Sequence, residues 1–403
     1  MTKDRLEITL LTPFLIALSI IATEIAISFN SVLLPNIKQS FLVNESLAQL
    51  TVSIGLFALG FSGMIYGGIS DSIGRKPIFL VSIFIFTVSN IFCIYAPNIT
   101  VFILARFIQG VGSGACWIVG NACLKDIYHG ESYTKVMNYI HAVAGIIPAV
   151  APTLGSKIAV FWGWKSCFAF LACIGLSIWF GIYFKQKETL KNPKPFSFKS
   201  SVFQYRQLFS SVPFCVYLFI KVIAVMLIFV ETSNVSLLFI DYFGVDPSDF
   251  GYYVFPGFFC YVLSTVAAAY LLKFLSVKKI LIFGLAFIFL SQILILSSPL
   301  SWQSEPWIIQ GFKTLTYLGW GFIFGNATAM IVHQVPDKAA SASAVMIGLE
   351  MIMSSVGISI MGFFFDGTII PMTLFMALCS LLCLCVVAVS NRYLIDESNR
   401  RLN

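Results

Sequence analysis

Six ionisable residues stand inside long apolar runs of this 403-residue chain: Glu24, Arg106, Lys221, Glu231, Lys313 and Glu350. Each would cost at least ~2.5 kcal/mol at the centre of a bilayer. Groups kept at that cost bind protons, hold a charged ligand or pair with one another. For any single one of them a structural ion pair is the alternative. Three acids and three bases sum to zero charge, which argues against a cavity built only for lipophilic cations and allows zwitterionic, anionic or siderophore-like molecules. Bond-breaking chemistry has little to work with. The histidines are His129, His141 and His333, with no His-x-x-x-His spacing for a metal. No Ser or Cys nucleophile sits beside a base; Ser113 lies between Gly112 and Gly114 in a run suited to helix packing. An intramembrane enzyme is therefore the weaker reading, and no metal or other cofactor is expected. A channel would need a repeated pore ring, which the sequence lacks.

The elements that must position these residues follow from composition. The chain is 58% hydrophobic and 11% charged, where a soluble domain carries about 25% charged residues; mean hydropathy is +0.90. Apolar runs fall at about 12–36, 47–69, 77–96, 99–123, 133–161, 164–186, 211–240, 250–274, 279–298, 305–332, 340–365 and 370–392. Each can cross the hydrocarbon as a helix of ~20 residues, the form in which a segment satisfies its own backbone. The expectation is an all-α membrane protein with 12 transmembrane helices in two pseudo-symmetric six-helix bundles. Residues 1–186 and 207–403 form the bundles. Residues 187–206, polar and broken by Pro193 and Pro195, form a cytoplasmic linker.

Charge sets the orientation. With both termini in the cytoplasm, 19 of the 25 Lys and Arg residues are cytoplasmic, three are outside (Lys38, Lys157 and Lys165), and Arg106, Lys221 and Lys313 lie within spans. The loop after span seven carries Asp241, Asp246 and Asp249 and no base, as an outer loop should. The net charge of +7 is confined to short loops, so nucleic acid is excluded as a partner. The apolar run after Lys3 and Arg5 continues to Pro35, too long for a signal peptide, and reads as an uncleaved first span. Cys379, Cys383 and Cys385 share one apolar run and read as small core residues, with no disulfide framework.

A shift of 207 residues lays Arg106 on Lys313, Gly112 on Gly319, Gly114 on Gly321, Gly155 on Gly362 and Glu24 on Glu231. Two parallel halves related by an axis along the membrane normal would produce such a repeat.

A polar turn, Gly67 to Leu80 (GGISDSIGRKPIFL), interrupts the apolar pattern between spans two and three. Gly67 and Gly68 permit close helix approach, Gly74 permits a turn, and Arg75 and Lys76 hold the turn in the cytoplasm. Asp71 is either a solvated turn residue or a charge with a conformational role. The pattern Gly67, Asp71, Gly74, Arg75, Lys76 resembles the signature turn of the major facilitator superfamily. The resemblance implies a secondary transporter, with Asp71 facing the start of span eleven (Ala339 to Ala344) as a latch on the outward-open state.

Span four reads Arg106-x-x-Gln109-Gly110-x-Gly112-Ser113-Gly114 and resembles the superfamily's fourth-span motif. The resemblance implies an Arg106 that faces the central cavity and tunes a nearby carboxylate in proton transfer. Span five carries Pro148, Pro152 and Gly155, residues that bend a membrane helix. With Trp164-Lys165-x-x-Phe168 and Asp241-Tyr-Phe-Gly244-Val245 it is similar to the Bcr/CflA-type drug:proton antiporters. Two positions depart from that group: Ser156 replaces a second glycine, and Ser28 stands where span one usually carries an Asp. The acid of span one is Glu24, a helical turn earlier on roughly the same face.

The expected function is proton-coupled export of small amphipathic molecules by alternating access. Glu24, Arg106 and Glu231 would couple to protons, and Gln109, Lys221, Lys313 and Glu350 would complete the cavity. The expected partners are a small-molecule substrate, protons and the bilayer, with the chain a monomer in a bacterial inner membrane. An importer or metabolite exchanger on the same fold is the alternative, since a fold sets neither cargo nor direction.

Overall fold

The computed structural model describes residues 3–128, 131–191, 193, 198–299, 301–335 and 338–390. His129 and Pro195, together with Lys194, Arg392, Arg400 and Arg401 of the 19 cytoplasmic bases, lie outside the described residues. Among the described residues the regular structure is helical. The elements are α1 (Lys3–Val32), α2 (Leu34–Phe41), α3 (Glu45–Ile73), α4 (Arg75–Tyr95), α5 (Ile99–Ile127), α6 (Glu131–Trp162) and α7 (Lys165–Lys185). They continue with α8 (Phe198–Leu208), α9 (Val212–Leu237), α10 (Phe250–Leu271), α11 (Val277–Ser297), α12 (Pro306–Gln334), α13 (Ala339–Phe364) and α14 (Ile370–Val389). Twelve of them, all but α2 and α8, are long and apolar enough to cross a membrane.

Local sequence explains where these helices start. Asn44 accepts the amide of Leu47 at 3.0 Å and Asn98 that of Val101 at 3.0 Å, while Ser211 accepts that of Phe214 at 3.5 Å. Each side chain satisfies one of the orphan donors of a first turn. Span one departs from the single run expected over 12–36. It breaks at Leu33, because Pro35 in the first turn of α2 has no amide to extend the α1 ladder and disfavours helical geometry just before it. Leu42, at φ 53°, then ends α2. The last part of the 187–206 stretch is also helical, as α8. Span seven ends in a π-helical turn, Leu238–Tyr242, which no residue pattern announced.

The chain divides into two compact units, Met1–Ser201 and Val202–Asn403. Their helix pairings repeat. In the first unit α5 packs on α3 and α4, α4 on α7, and α1 on α6 and α7. In the second, α12 packs on α10 and α11, α11 on α14, and α9 on α13 and α14. Small residues make the same approaches in both. A Cβ on Gly112 would strike the backbone of Phe86 on α4, and one on Gly319 the carbonyl of Gly284 on α11. One on Gly114 would strike the Ser62 hydroxyl of α3, and one on Gly321 the Ser264 hydroxyl of α10. The fourth spanning helix of each unit, α5 and α12, is therefore fixed on both sides by positions that correspond under the 207-residue shift.

Candidate functional site

In the first unit, α5 presents Arg106, Gln109, Gly110, Ser113 and Trp117 at spacings of three and four, which is one helix face. The Arg106 Nε donates to the Thr51 carbonyl of α3 at 3.1 Å. Arg106 is 5% exposed, and among the described residues no carboxylate lies within ion-pair distance of it. Gln109 donates through Nε2 to Asn90 Oδ1 of α4 at 2.6 Å. Trp117 donates its indole N–H to Glu24 Oε1 of α1 at 3.2 Å, so Glu24, half-buried, is held by a neutral donor.

Arg106, Gln109 and Ser113 line a recess with Thr23 of α1, and Val52, Leu56 and Leu59 of α3 supply much of its apolar wall. The recess has about 310 Å³ of empty space, counted out to its open mouth.

The second unit treats its charges differently. Lys313 of α12 lies 3.4 Å from Glu231 Oε1 of α9, with side chains 0% and 1% exposed. The approach lacks hydrogen-bond geometry, so the attraction is Coulombic, and Tyr317 of the next turn adjoins Glu231. Lys221 of α9 lies 3.9 Å from Glu350 Oε1 of α13. Its ammonium also donates to the Phe324 carbonyl at 3.4 Å and sits 3.7 Å from the centre of the Phe324 ring, a cation–π contact. All four second-unit charges read from the sequence are thus paired within that unit, whereas Glu24 and Arg106 are not paired with one another.

The turn forms a separate cluster at the far end of α5. Gly74 joins α3 to α4 at φ 119°, a conformation that favours glycine. Arg75 pairs with Asp71 at 2.5 Å and with Asp126 at the end of α5 at 3.1 Å, and donates to Ser70 Oγ at 2.7 Å. Lys76 Nζ donates to the Tyr183 carbonyl at 2.9 Å. Glu188, just beyond α7, accepts the amides of Arg75 at 2.9 Å and Lys76 at 3.1 Å. A Cβ on Gly74 would fall 2.6 Å from its carboxylate. The carboxylate therefore caps the start of α4, where free amides favour an anion. Partial burial would push the Glu188 carboxyl up, but the amides of Leu190, Arg75, Lys76 and Thr189 outweigh it and hold it below the usual range. Gly67 faces the Ile118 side chain of α5.

Pro148 and Pro152 lie inside α6, which stays one helix, and Gly155 packs on Phe29 and Val32 of α1. Trp164 and Phe168 meet Phe102 edge-on, with ring centres 5.7 and 5.5 Å away, and close the end of the unit remote from Gly74.

Sequence reasoning missed Trp117, Asp126 and Glu188. Trp117 carried a signal, its place eleven residues after Arg106 on the same face. Glu188 carried none, being one charge in a polar stretch. All ten cysteines are free, and among the described residues no His/Cys/Asp/Glu group could hold a metal.

Two six-helix repeats with intramembrane charges and a small-residue fourth helix define a multi-pass transporter rather than an enzyme. A profile described as Major Facilitator Superfamily matches residues 16–360. The chain belongs to the Major Facilitator Superfamily. It is 25% identical over 340 residues to the multidrug resistance protein MdtL of Shewanella sp. (strain ANA-3), covering 82% of this chain and 83% of that one. It is 33% identical over 149 residues to MdtL of Escherichia coli (strain K12 / DH10B), covering 36% and 38%. The fold matches the partially occluded inward-open xylose transporter XylE from E. coli at TM-score 0.72 and 12% identity, over 96% of this chain and 97% of that one. It also matches a peptide transporter in complex with alafosfalin at TM-score 0.74 and 12% identity, over 95% of each chain.

Proposed function

We propose that the chain exports small amphipathic molecules from a bacterial cytoplasm, driven by protons, through alternating access of its two units as a monomer. The relatives named for multidrug resistance support the cargo class. Their bacterial sources support an inner-membrane location, and the Lys and Arg asymmetry supports cytoplasmic termini.

The observation that carries proton coupling is the setting of Glu24. It is an acid on a spanning helix, bonded to a neutral indole, with no cation at ion-pair distance among the described residues. Glu231 and Glu350 each have one. A carboxyl that must lie in the apolar layer without a counter-charge is the group best suited to take up and release a proton as the cavity opens to either side. The other charges of the second unit hold its helices in register during that cycle. The turn of Gly67, Asp71, Gly74, Arg75 and Lys76 acts as a conformational latch, and α6, with Pro148 and Pro152 in its interior, flexes.

Everted membrane vesicles test this reading. Cargo should accumulate inside them when the lumen is acidified, and Glu24→Gln should abolish that accumulation while the protein stays in the membrane. Undiminished coupling in the variant removes Glu24 from the mechanism, and proton-driven loss of cargo from the vesicles means import.

A further inference from the structure

The second unit pairs an acid of its first spanning helix with a base of its fourth, Glu231 with Lys313 at 3.4 Å. Under the 207-residue shift the first unit carries the same two positions, Glu24 and Arg106, yet the pair is open. Glu24 is taken by the Trp117 indole. Arg106 gives its Nε to Thr51, and its two terminal nitrogens make no hydrogen bond or ion pair with any described residue. A guanidinium stays charged, and this one lines a recess.

The other side-chain donors of that recess are engaged, while Gln109 Oε1 is left without a partner. Thr23 donates its hydroxyl to the Ser19 carbonyl at 3.1 Å and Ser113 to that of Gln109 at 3.0 Å, each within its own helix. Gln109 donates to Asn90. The guanidinium is the charged donor left over. Its fork fits two carboxylate oxygens at once, and Val52, Leu56 and Leu59 offer an apolar wall beside it. An ammonium ion placed there would meet a like charge at short range in a medium of low dielectric.

We propose that the recess binds the anionic end of the cargo, a carboxylate on a small apolar body, with Arg106 as its counter-charge. The cargo carboxylate does for Arg106 what Glu231 does for Lys313. The recess is narrow, so it takes the carboxylate end of the cargo rather than its whole body. This substrate class rests on the export reading above.

The test uses the purified full chain without a pH gradient and three probes of one shape: 4-phenylbutyrate, 4-phenylbutanamide and 4-phenylbutan-1-amine. Calorimetric titration near neutral pH should find the carboxylate bound about 10-fold or more tighter than the amide or the amine. Arg106→Gln should lose about 10- to 100-fold for the carboxylate alone, as expected for a hydrogen-bonded charge pair. Val52→Asp keeps Arg106 but puts a competing carboxylate on the same wall, and it should also erase the preference. Equal affinity for the three probes overturns the proposal, as does an undiminished preference in either variant. Because binding is read at equilibrium, the outcomes separate. An intact preference with no proton-driven flux rejects the export reading alone, and intact flux with no preference rejects the anion site alone.

Discussion

Lys313 Nζ lies 3.4 Å from Glu231 Oε1, and both side chains are sealed from solvent. Desolvating two ions costs several kcal/mol each, and their attraction offsets it only while both are present. Removing one partner strands the other. Lys313→Met or Glu231→Leu alone should each destabilise the protein by about 3–5 kcal/mol, and the double variant should recover most of that loss. Thermal unfolding of the purified protein measures the cycle. Additive losses in the double variant would mean that the two charges do not act on one another.

Gly112 and Gly319 occupy matching positions on α5 and α12, against the backbones of α4 and α11. A methyl at either site falls within 3 Å of backbone atoms, which cannot rotate away. Gly112→Ala and Gly319→Ala should each cost about 1–3 kcal/mol by overpacking. Gly311→Ala on the same α12 meets nothing within 4 Å and should be neutral. Folded yield and melting temperature separate the three.

The helices and their two-fold repeat were legible because the apolar runs are long and the breaks between them are polar. The six intramembrane charges stood out for the same reason, a charge in an apolar run being conspicuous. Their pairing was not legible. Glu231 and Lys313 are 82 residues apart (313 − 231), and only the packing of α9 on α12 brings them together. The same repeat suggests a Glu24–Arg106 pair, which the first unit does not close, because Trp117 captures the acid. Its counterpart under the shift, Phe324, has no donor to offer and instead takes Lys221 on its ring and carbonyl. Sequence reading sees which charges are costly; it does not see which neutral neighbour satisfies them.

Glu188 accepts the amides of Arg75, Lys76, Thr189 and Leu190. Its carboxyl is held below the usual range, so its stabilising effect is complete above the ordinary Glu value of about 4.3 and fades as pH falls through the lowered native value. Near neutral pH, Glu188→Ala should speed hydrogen exchange at the Arg75 and Lys76 amides, while Glu188→Gln, which keeps one acceptor oxygen, should fall between it and wild type. Expressed as protection factors, which remove the intrinsic pH dependence of exchange, acidification should bring wild type toward the alanine variant and leave that variant unchanged. Equal protection in all three proteins would show that the cap does not hold the turn.

Arg75 has two carboxylate partners with different surroundings, and the difference separates structure from function at the turn. Asp126 is 25% exposed and also accepts the Thr189 hydroxyl at 3.3 Å, while Asp71 is 50% exposed and sits one helical turn before Arg75. With Asp71 half-exposed and solvent-screened, and Arg75 keeping Asp126, the contact contributes at most about 1 kcal/mol, so Asp71→Asn should barely move the melting temperature. Asp126→Asn also loosens the tie between α4 and α5 and should lower it more. If Asp71 acts as a latch, its variant should nonetheless alter transport and change the labelling of single cysteines introduced at the two ends of the helices. Asp126→Asn would then lose stability and transport together. Asp71→Asn with wild-type stability, transport and labelling would leave Asp71 a plain partner of Arg75 and remove the latch from the cycle.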